Sequence, residues 1–256
     1  GKYYTQKTST FKNCIFRHIH NNSGGYASVL TTYGNAGKRS ENDRSSCKII
    51  FNNCEIHDVK QNGHTKKMRY GDELVDYDET SAGIIRFRGS WPGDMDLINT
   101  KIHDNYSKYD CAGVLWNAIG GGNPNNMPLL TINGCKFYNN KTDNDAGALR
   151  LEGNFLFTGA QSEFYGNSAN RGGAIQIWGY SGGDPITKGT ITQTLNECVY
   201  CHDNTANQGG ALYVCYDSPC SLPEKTNINT YLNGCIFENN TANWQGGAIC
   251  LNNSQL

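Results

Sequence analysis

The sequence predicts an all-β protein, a right-handed parallel β-helix (a solenoid) of about seven coils with loop insertions. Seven times, a short apolar stretch is followed by an Asn-rich corner and then by a small-small-apolar turn. A repeat this short cannot bury its own apolar face, so successive copies must stack. With 37% hydrophobic residues, the chain is too apolar for disorder. We therefore expect a single β-helix domain over residues 1–256, with an inserted loop at about 57–80.

The first element of each copy is an apolar anchor that we expect to point into the coil. The anchors recur every 27 residues (Phe137 to Phe164) to 46 residues (Ile56 to Ile102), which indicates loops of variable length on a regular frame. The sixth copy is one residue out of phase, and either a bulge or Cys201 acting as the anchor would absorb the slip. The seven anchors are Phe16, Ile56, Ile102, Phe137, Phe164, Tyr200 and Phe237.

A cysteine or a small hydroxyl residue lies two positions before each anchor. The chain has 11 cysteines in all, a number typical of proteins outside the reducing cytosol. Neighbouring coils would bring some of them close enough for disulfides; the alternative is a ladder of buried thiols that act as small hydrophobes. A lone Cys-x-x-Cys at 198–201 does not predict zinc. The disulfide candidates are Cys14 with Cys54, Cys198 with Cys235, and Cys215 with Cys220.

The corner and turn elements complete each copy. We expect the corner asparagines to stack, because Asn tolerates the left-handed backbone and bonds its own turn. Glycine pairs such as Gly172-Gly173 are expected to adopt positive φ at the other corner. The runs that follow alternate with period two, as in 147–151 and 173–177, and predict inward aliphatic ladders. The corner asparagines are Asn105, Asn140, Asn167, Asn204 and Asn240, and the ladder residues are Leu149, Leu151, Ile175, Ile177, Leu212, Val214, Ile249 and Leu251.

These motifs resemble the repeat of the polymorphic membrane protein family of chlamydial autotransporter adhesins. Gly-Gly-Ala-Ile occurs at 172–175 and 246–249, and Phe-x-x-Asn at 137–140, 164–167 and 237–240. Similar repeats occur in cysteine-rich surface proteins of protozoa. The resemblance implies a β-helix displayed outside the cell or at its surface, with an adhesive role.

Five N-glycosylation sequons also fit an extracellular protein. In an Asn-rich chain several arise by chance, so each one is weak evidence by itself. We expect some to be modified if the host is eukaryotic. The candidate acceptors are Asn21, Asn105, Asn140, Asn239 and Asn252.

The residues that alternate with the aliphatic ladder and point away from the coil form an outward row, and this row distinguishes an enzyme from a binding protein. It contains no carboxylate pair of the kind that polysaccharide-cleaving β-helices use, so we expect no enzymatic activity. Its aromatic residues form a candidate glycan-stacking face, the alternative being scattered exposed aromatics. The expected row is Arg86, Trp116, Arg150, Gln176, Tyr213 and Cys250, and the candidate stacking residues are Trp116, Trp178 and Tyr213.

A His-Asp step recurs at 57–58, 103–104 and 202–203. Stacked imidazoles could bind a transition metal or sense pH, but solvated corner residues are the more frequent interpretation. The acidic residues of the insertion lack the ligand spacing of calcium loops. We therefore predict no metal and no cofactor.

Charge and hydropathy exclude two further classes of partner. A net charge of −1 and a pI of 6.6 give no case for nucleic acid. No apolar run approaches the 18 residues that a membrane span needs, so we expect no membrane insertion.

Neither end of the sequence reads as a polar cap. We therefore expect the chain to pair with copies of itself or with flanking β-helix coils. Glycans or host-surface molecules are the other expected partners. The predicted function is an extracellular structural or adhesive β-helix that stacks head to tail into a surface filament or forms part of a longer adhesin. The alternative is a carbohydrate-binding or polysaccharide-degrading β-helix.

Overall fold

The computed structural model describes residues 7–22, 27–34, 47–62, 64–70, 73–79, 83–89, 94–118, 129–153, 156–178, 191–195, 199–216 and 228–253. Within these ranges the protein is all-β, with 29 strands and no helix. The strands in chain order are β1 (Lys7–Lys12), β2 (Ile15–Arg17), β3 (His20–Asn21), β4 (Leu30–Gly34), β5 (Cys47–Asn52), β6 (Glu55–His57), β7 (Lys60–Gln61), β8 (His64–Tyr70), β9 (Glu73–Glu79), β10 (Ile85–Gly89), β11 (Asp94–Ile98), β12 (Lys101–His103), β13 (Tyr106–Ser107), β14 (Val114–Ala118), β15 (Leu129–Asn133), β16 (Lys136–Tyr138), β17 (Lys141–Thr142), β18 (Leu149–Gly153), β19 (Leu156–Ala160), β20 (Glu163–Tyr165), β21 (Ile175–Trp178), β22 (Ile191–Leu195), β23 (Tyr200–His202), β24 (Thr205–Gln208), β25 (Leu212–Tyr216), β26 (Ile228–Leu232), β27 (Ile236–Glu238), β28 (Thr241–Gln245) and β29 (Ile249–Asn253).

Three parallel sheets of seven strands each form the frame. We call one strand from each sheet, taken in chain order, a rung, and number the rungs 1 to 7. Each rung pairs only with its neighbours, an arrangement consistent with a β-helix or other solenoid. Sheet 1 is β1-β5-β11-β15-β19-β22-β26, sheet 2 is β2-β6-β12-β16-β20-β23-β27, and sheet 3 is β4-β10-β14-β18-β21-β25-β29.

Shorter sheets continue the corner after sheet 2. One joins β3, β7, β13 and β17, and another joins β24 and β28. At the start of the expected insertion at about 57–80, His57 ends β6 and residues 60–61 form β7. Strands β8 and β9 then form an antiparallel hairpin, which the Gly-Asp pair at 71–72 could have indicated.

The expected aliphatic ladders are confirmed. Leu149, Ile175, Leu212 and Ile249 pair in register on sheet 3, as do the residues two positions later. The anchors also align on sheet 2, where Phe137 stacks on Phe164 with ring centroids 4.7 Å apart. Cys201, and not Tyr200, pairs with Phe164 and Phe237, so Cys201 is the anchor of rung 6.

The cysteine ladder contains thiols and no disulfides within the described part of the chain. Cys14 and Cys54 are free thiols, so the Cys14–Cys54 prediction is not supported. The Cys54 thiol instead donates to the carbonyl oxygens of Phe11 at 3.4 Å and Asn52 at 3.5 Å. Thr100 and Ser162 donate to the carbonyl two residues earlier in the same way, which explains why Cys, Thr and Ser interchange at this position.

The other two disulfide predictions depend on residues outside the described ranges. Cys198 and Cys220 are the undescribed partners, while Cys215 and Cys235 are described. Tyr200 pairs with Ile236, so the residue opposite Cys235 is Val199 and not Cys198. The one-residue slip of the sixth copy thus removes the register on which the Cys198–Cys235 prediction was based.

The corner asparagines form a buried ladder, as expected, but they are not the residues that adopt the left-handed backbone conformation. The left-handed residue is the one before each ladder residue, for example Asn139 with φ 53°. Asn167 accepts from the Asn140 backbone N–H at 3.1 Å and donates to the Phe137 carbonyl at 2.9 Å. It also bonds the side chains of Asn140 and Asn204, each at 3.0 Å. The ladder therefore joins neighbouring rungs through amide groups that are shielded from water.

Rungs 1 and 2 lack this amide link. The register of β3 and β7 places Ile19 and Val59 at the ladder position. The backbone N–H of Val59 donates to Oδ1 of Asn105 at 3.0 Å, and this bond begins the ladder. The amide-to-amide chain runs from rung 3 to rung 7.

The glycine pairs meet two separate requirements, and only the first glycine has positive φ. Gly172 has φ 64°, while a Cβ on Gly173 would lie 2.0 Å from the carbonyl oxygen of Gly210 in the next rung. The second glycine is therefore required by close approach of the backbones and not by its dihedral angle. In rung 7, a Cβ on Gly247 would meet nothing closer than 3.6 Å.

Candidate functional site

The outer row of sheet 3 differs from the expected one at rung 3. Arg86 pairs with Leu115, and Leu115 pairs with Arg150. Trp116 therefore points inward, where it is fully buried and stacks on Phe87 with ring centroids 4.4 Å apart. Trp116 is thus a core residue and is not available for stacking on a glycan.

The other two aromatic candidates are on the outer side of sheet 3. Tyr213 is only 1% exposed, and its hydroxyl accepts a hydrogen bond from Asn252 Nδ2 at 3.0 Å. Trp178 is half-buried. The Arg150 guanidinium lies over the Trp178 ring, 4.9 Å from its centroid. Of the three candidates, Trp178 is the most accessible.

A cluster of charged residues that the sequence did not indicate lies beside Trp178. Arg150 is bound to Asp110 at 2.7 Å and to Glu152 at 2.5 Å, and all three side chains are nearly buried. Burial by itself would lower the pKa of Arg150, but the two carboxylates raise it above its ordinary value. Because one guanidinium contacts both carboxylates, the cluster is a charge-compensated network.

A second ion pair connects rungs 4 and 5 near this cluster. Arg171 binds Asp145 through two nitrogens, at 2.9 and 2.5 Å, in the fork geometry that suits a carboxylate. The Arg171 guanidinium also lies over the Tyr213 ring at 5.5 Å. This pair stabilises the contact between two successive turns of the chain.

The outer face of sheet 2 carries a column of stacked rings. His57, His103, Tyr138, Tyr165 and His202 are in register on successive rungs. The planes are nearly parallel in every stack between neighbours, with centroids 4.3 to 5.0 Å apart. We call this column the ring stack. The ring faces contact one another, so the ring edges are what the column presents to solvent.

Carboxylates hold the histidines of the ring stack. In each His-Asp step, Nδ1 lies 2.6 to 2.7 Å from the neighbouring aspartate. Two histidines have a second carboxylate on the preceding rung: His103 Nε2 lies 3.0 Å from Glu55 and His202 Nε2 lies 3.1 Å from Glu163. The sequence analysis missed both glutamates, because 48 and 39 residues separate them from their histidines.

These contacts shift the pKa of several groups. The hydrogen bond to His103 lowers the pKa of Glu55, and the one to His57 lowers the pKa of Asp58. Burial would raise the pKa of Glu163, but hydrogen bonds from Lys136 and His202 lower it. Burial would lower the pKa of His202, but its bonds to Asp203 and Glu163 raise it.

Among the described residues, no group of three His, Cys, Asp or Glu side chains is placed to hold a metal ion. The histidines of the ring stack instead use their ring nitrogens on carboxylates. Their arrangement is suited to proton binding, the alternative to a metal site that the sequence analysis named beside solvated corner residues.

The glycosylation candidates divide into two groups. Asn105 and Asn140 are 1% and 0% exposed, and their amides are committed to the asparagine ladder. They are therefore incompatible with a glycan in the folded protein. Asn239 and Asn252 are exposed and Asn21 is half-exposed, so these three remain candidates.

Comparison with known proteins supports the repeat. Residues 234–252 match the model of the Chlamydia polymorphic membrane protein repeat. This segment covers rung 7 from Gly234 to β29, including one copy of each motif. No curated protein and no solved structure is detectably similar to the chain. The described residues also contain no helix of the length and hydropathy needed to cross a bilayer.

Proposed function

We propose that the chain is a right-handed parallel β-helix of seven coils, displayed outside the cell or on its surface. Its role is structural and adhesive, and it has no catalytic role. The match to a repeat of surface-exposed proteins supports the location. The pairing of Asp110 and Glu152 with one arginine supports a structural use of the carboxylates nearest to Trp178.

The observation that carries this proposal is the apolar surface of rung 7. Leu232 and Leu251 occupy inward columns, yet they are 38% and 71% exposed. The equivalent residues of rungs 3 and 4, such as Leu97 and Leu151, are fully buried. Among the described strands, β26, β27 and β29 each have a pairing partner on one side only. Such an edge is a template for further strands, so rung 7 is suited to receive another β-helical coil.

The coil that stacks there belongs either to a second copy, which gives a filament, or to an adjoining part of a longer adhesin. A second copy would bring rung 1 onto rung 7, where the half-buried Phe11 and Phe16 supply matching apolar side chains. Contact between two different surfaces of identical chains does not close and grows a fibre.

Sedimentation velocity over a range of concentrations, followed by electron microscopy, tests the filament. We expect end-to-end oligomers, and we expect Leu251→Lys to abolish them because it places a charge in the stacking surface. Tyr231→Lys is the control, since Tyr231 is exposed on the same rung but lies in the outward column beside Leu232. A monomer at every concentration would rule out the filament and leave part of a longer adhesin as the remaining form of the proposal.

Carbohydrate binding is the second candidate, and one feature favours it. On the outer face of sheet 3, Oε1 of Gln176 is buried and has no hydrogen-bond partner among the described residues. It lies two residues from the half-buried Trp178, so a sugar stacked on Trp178 would need the Gln176 side chain to turn outward before a hydroxyl could donate to it. A glycan array read with Trp178→Ala, and with the exposed Trp244 changed to Ala as control, tests this. Binding that both variants retain equally would rule out this face.

A further inference from the structure

The histidines of the ring stack do not all have the same surroundings. His103 and His202 each lie between two carboxylates, one on their own rung and one on the rung before. His57 has one carboxylate partner among the described residues, its own Asp58, which lies 2.7 Å from Nδ1. The difference follows from register, because the position that Glu55 holds in rung 2 is held by Ile15 in rung 1.

A doubly bound imidazole must be charged to satisfy both partners. An ionised carboxylate only accepts hydrogen bonds, and a neutral imidazole has a single N–H. A neutral His202 would therefore direct a lone pair at either Asp203 or Glu163. The imidazolium has two N–H groups and donates to both. The same holds for His103 between Asp104 and Glu55.

We propose that His202 is a proton-dependent clamp between rungs 5 and 6, closed when the imidazole is protonated and open when it is neutral; His103 has the same two-carboxylate geometry between rungs 2 and 3. Each of the two histidines joins a carboxylate of one rung to a carboxylate of the next through a single side chain. The imidazoles are only 10% and 17% exposed, but their carboxylate partners are 28% to 59% exposed, so water and salt screen the contacts in part. The His202 clamp makes the cohesion of rungs 5 and 6 dependent on pH.

Other charged and titratable groups surround both histidines. Glu163 also binds Lys136 at 2.7 Å, and Tyr200 stacks against His202 while its hydroxyl bonds Glu238. Tyr165 covers the other face of His202. Around His103 the faces belong to His57 and Tyr138, and Lys101 acts on Glu55.

The direction of the pH effect follows from these contacts. A histidine that gains carboxylate partners on folding stabilises the folded state fully below its unfolded pKa of about 6.5. That stabilisation is lost as the pH rises through the folded value. Glu163 acts in the opposite sense, and its contribution is lost as the pH falls below about 4.3. Because the pKa of His202 is raised, its clamp is closed in mildly acidic surroundings and open in alkaline ones.

Thermal unfolding of the whole chain between pH 6 and 9 tests the proposal. We expect Tm to fall across this range by about 2–4 °C through the His202 clamp, and His202→Gln to reduce this fall. His57→Gln, four rungs away, is the control and should leave the His202 contribution in place. An unchanged pH dependence in His202→Gln would overturn the proposal.

Nuclear magnetic resonance titration provides a readout that does not depend on the stability of any variant. The His202 ring signal, assigned by its absence in His202→Gln, should titrate with a midpoint above 6.5. Glu163→Gln removes one acceptor charge and should lower that midpoint. A midpoint at or below 6.5 that Glu163→Gln does not change would show that the second carboxylate has no role.

Discussion

The asparagine ladder gives the sharpest prediction, through the substitution Asn167→Ala. The change removes four side-chain hydrogen bonds at a fully buried position. It also takes away the partner that Asn167 supplies to two buried backbone groups, the Asn140 N–H and the Phe137 carbonyl. Each buried group left without a partner costs about 1–3 kcal/mol. The expected loss is therefore about 2–6 kcal/mol of the roughly 5–15 kcal/mol that stabilise a folded domain.

The control is a second ladder of the same residue type on the surface. Asn207 bonds Asn170 at 2.9 Å and Asn243 at 3.0 Å, but all three side chains are exposed. Water replaces these bonds in Asn207→Ala, so the cost should stay within about 0.5 kcal/mol. Urea unfolding followed by circular dichroism measures both variants. Equal losses, or a loss below about 1 kcal/mol for Asn167→Ala, would refute the argument.

Three further predictions concern packing and thiol chemistry. Gly173→Ala places a Cβ 2.0 Å from a carbonyl oxygen, and should cost at least about 2 kcal/mol in urea unfolding; Gly247→Ala has room and should be nearly neutral, so similar losses would contradict the close-approach argument. Trp116→Ala empties a fully buried position and should cost about 3–5 kcal/mol, whereas a loss below 1 kcal/mol would place Trp116 outside the core. Burial raises the pKa of the Cys135 thiol to about 11, so in mass spectrometry of the native protein at pH 8 it should resist iodoacetamide longer than the half-buried Cys14; equal rates would contradict this.

The repeat made much of the fold predictable from the sequence. Ladder positions recur in each copy, so aligning the copies also aligned their pairing partners, and Leu149 was placed opposite Ile175 correctly. Trp116 was misplaced because the Ala-Gly pair of rung 3, at 112–113, lies one residue later in its rung than the equivalent pair of rung 4 does. There the corner position that Ala146 holds in rung 4 is taken by Cys111, which is equally buried. Two small residues fit the same corner, so the sequence could not show which one holds it.

The carboxylate contacts of the ring stack were less predictable than the frame. The His-Asp steps were visible because their members are adjacent, but Glu55 and Glu163 become partners only through the pairing of rungs. That pairing depends on insertion lengths, which differ from copy to copy. The Arg150 network was hidden for the same reason, since Asp110 is 40 residues away in sequence.

The restriction of pairing to neighbouring rungs determines how the molecule would respond to tension. Force applied along the axis is carried by every junction in turn, so the weakest junction separates first while the others stay closed. Ile19 and Val59 leave the junction of rungs 1 and 2 without the buried amide link, and the amide bonds of Asn53 to Asn13 and of Asn62 to Asn22 across it are exposed to water, so separation should start there. Rung 1 cannot bury its apolar face alone, so it would unfold on separation while rungs 2 to 7 stay stacked, and the chain would lengthen without losing the rest of the solenoid.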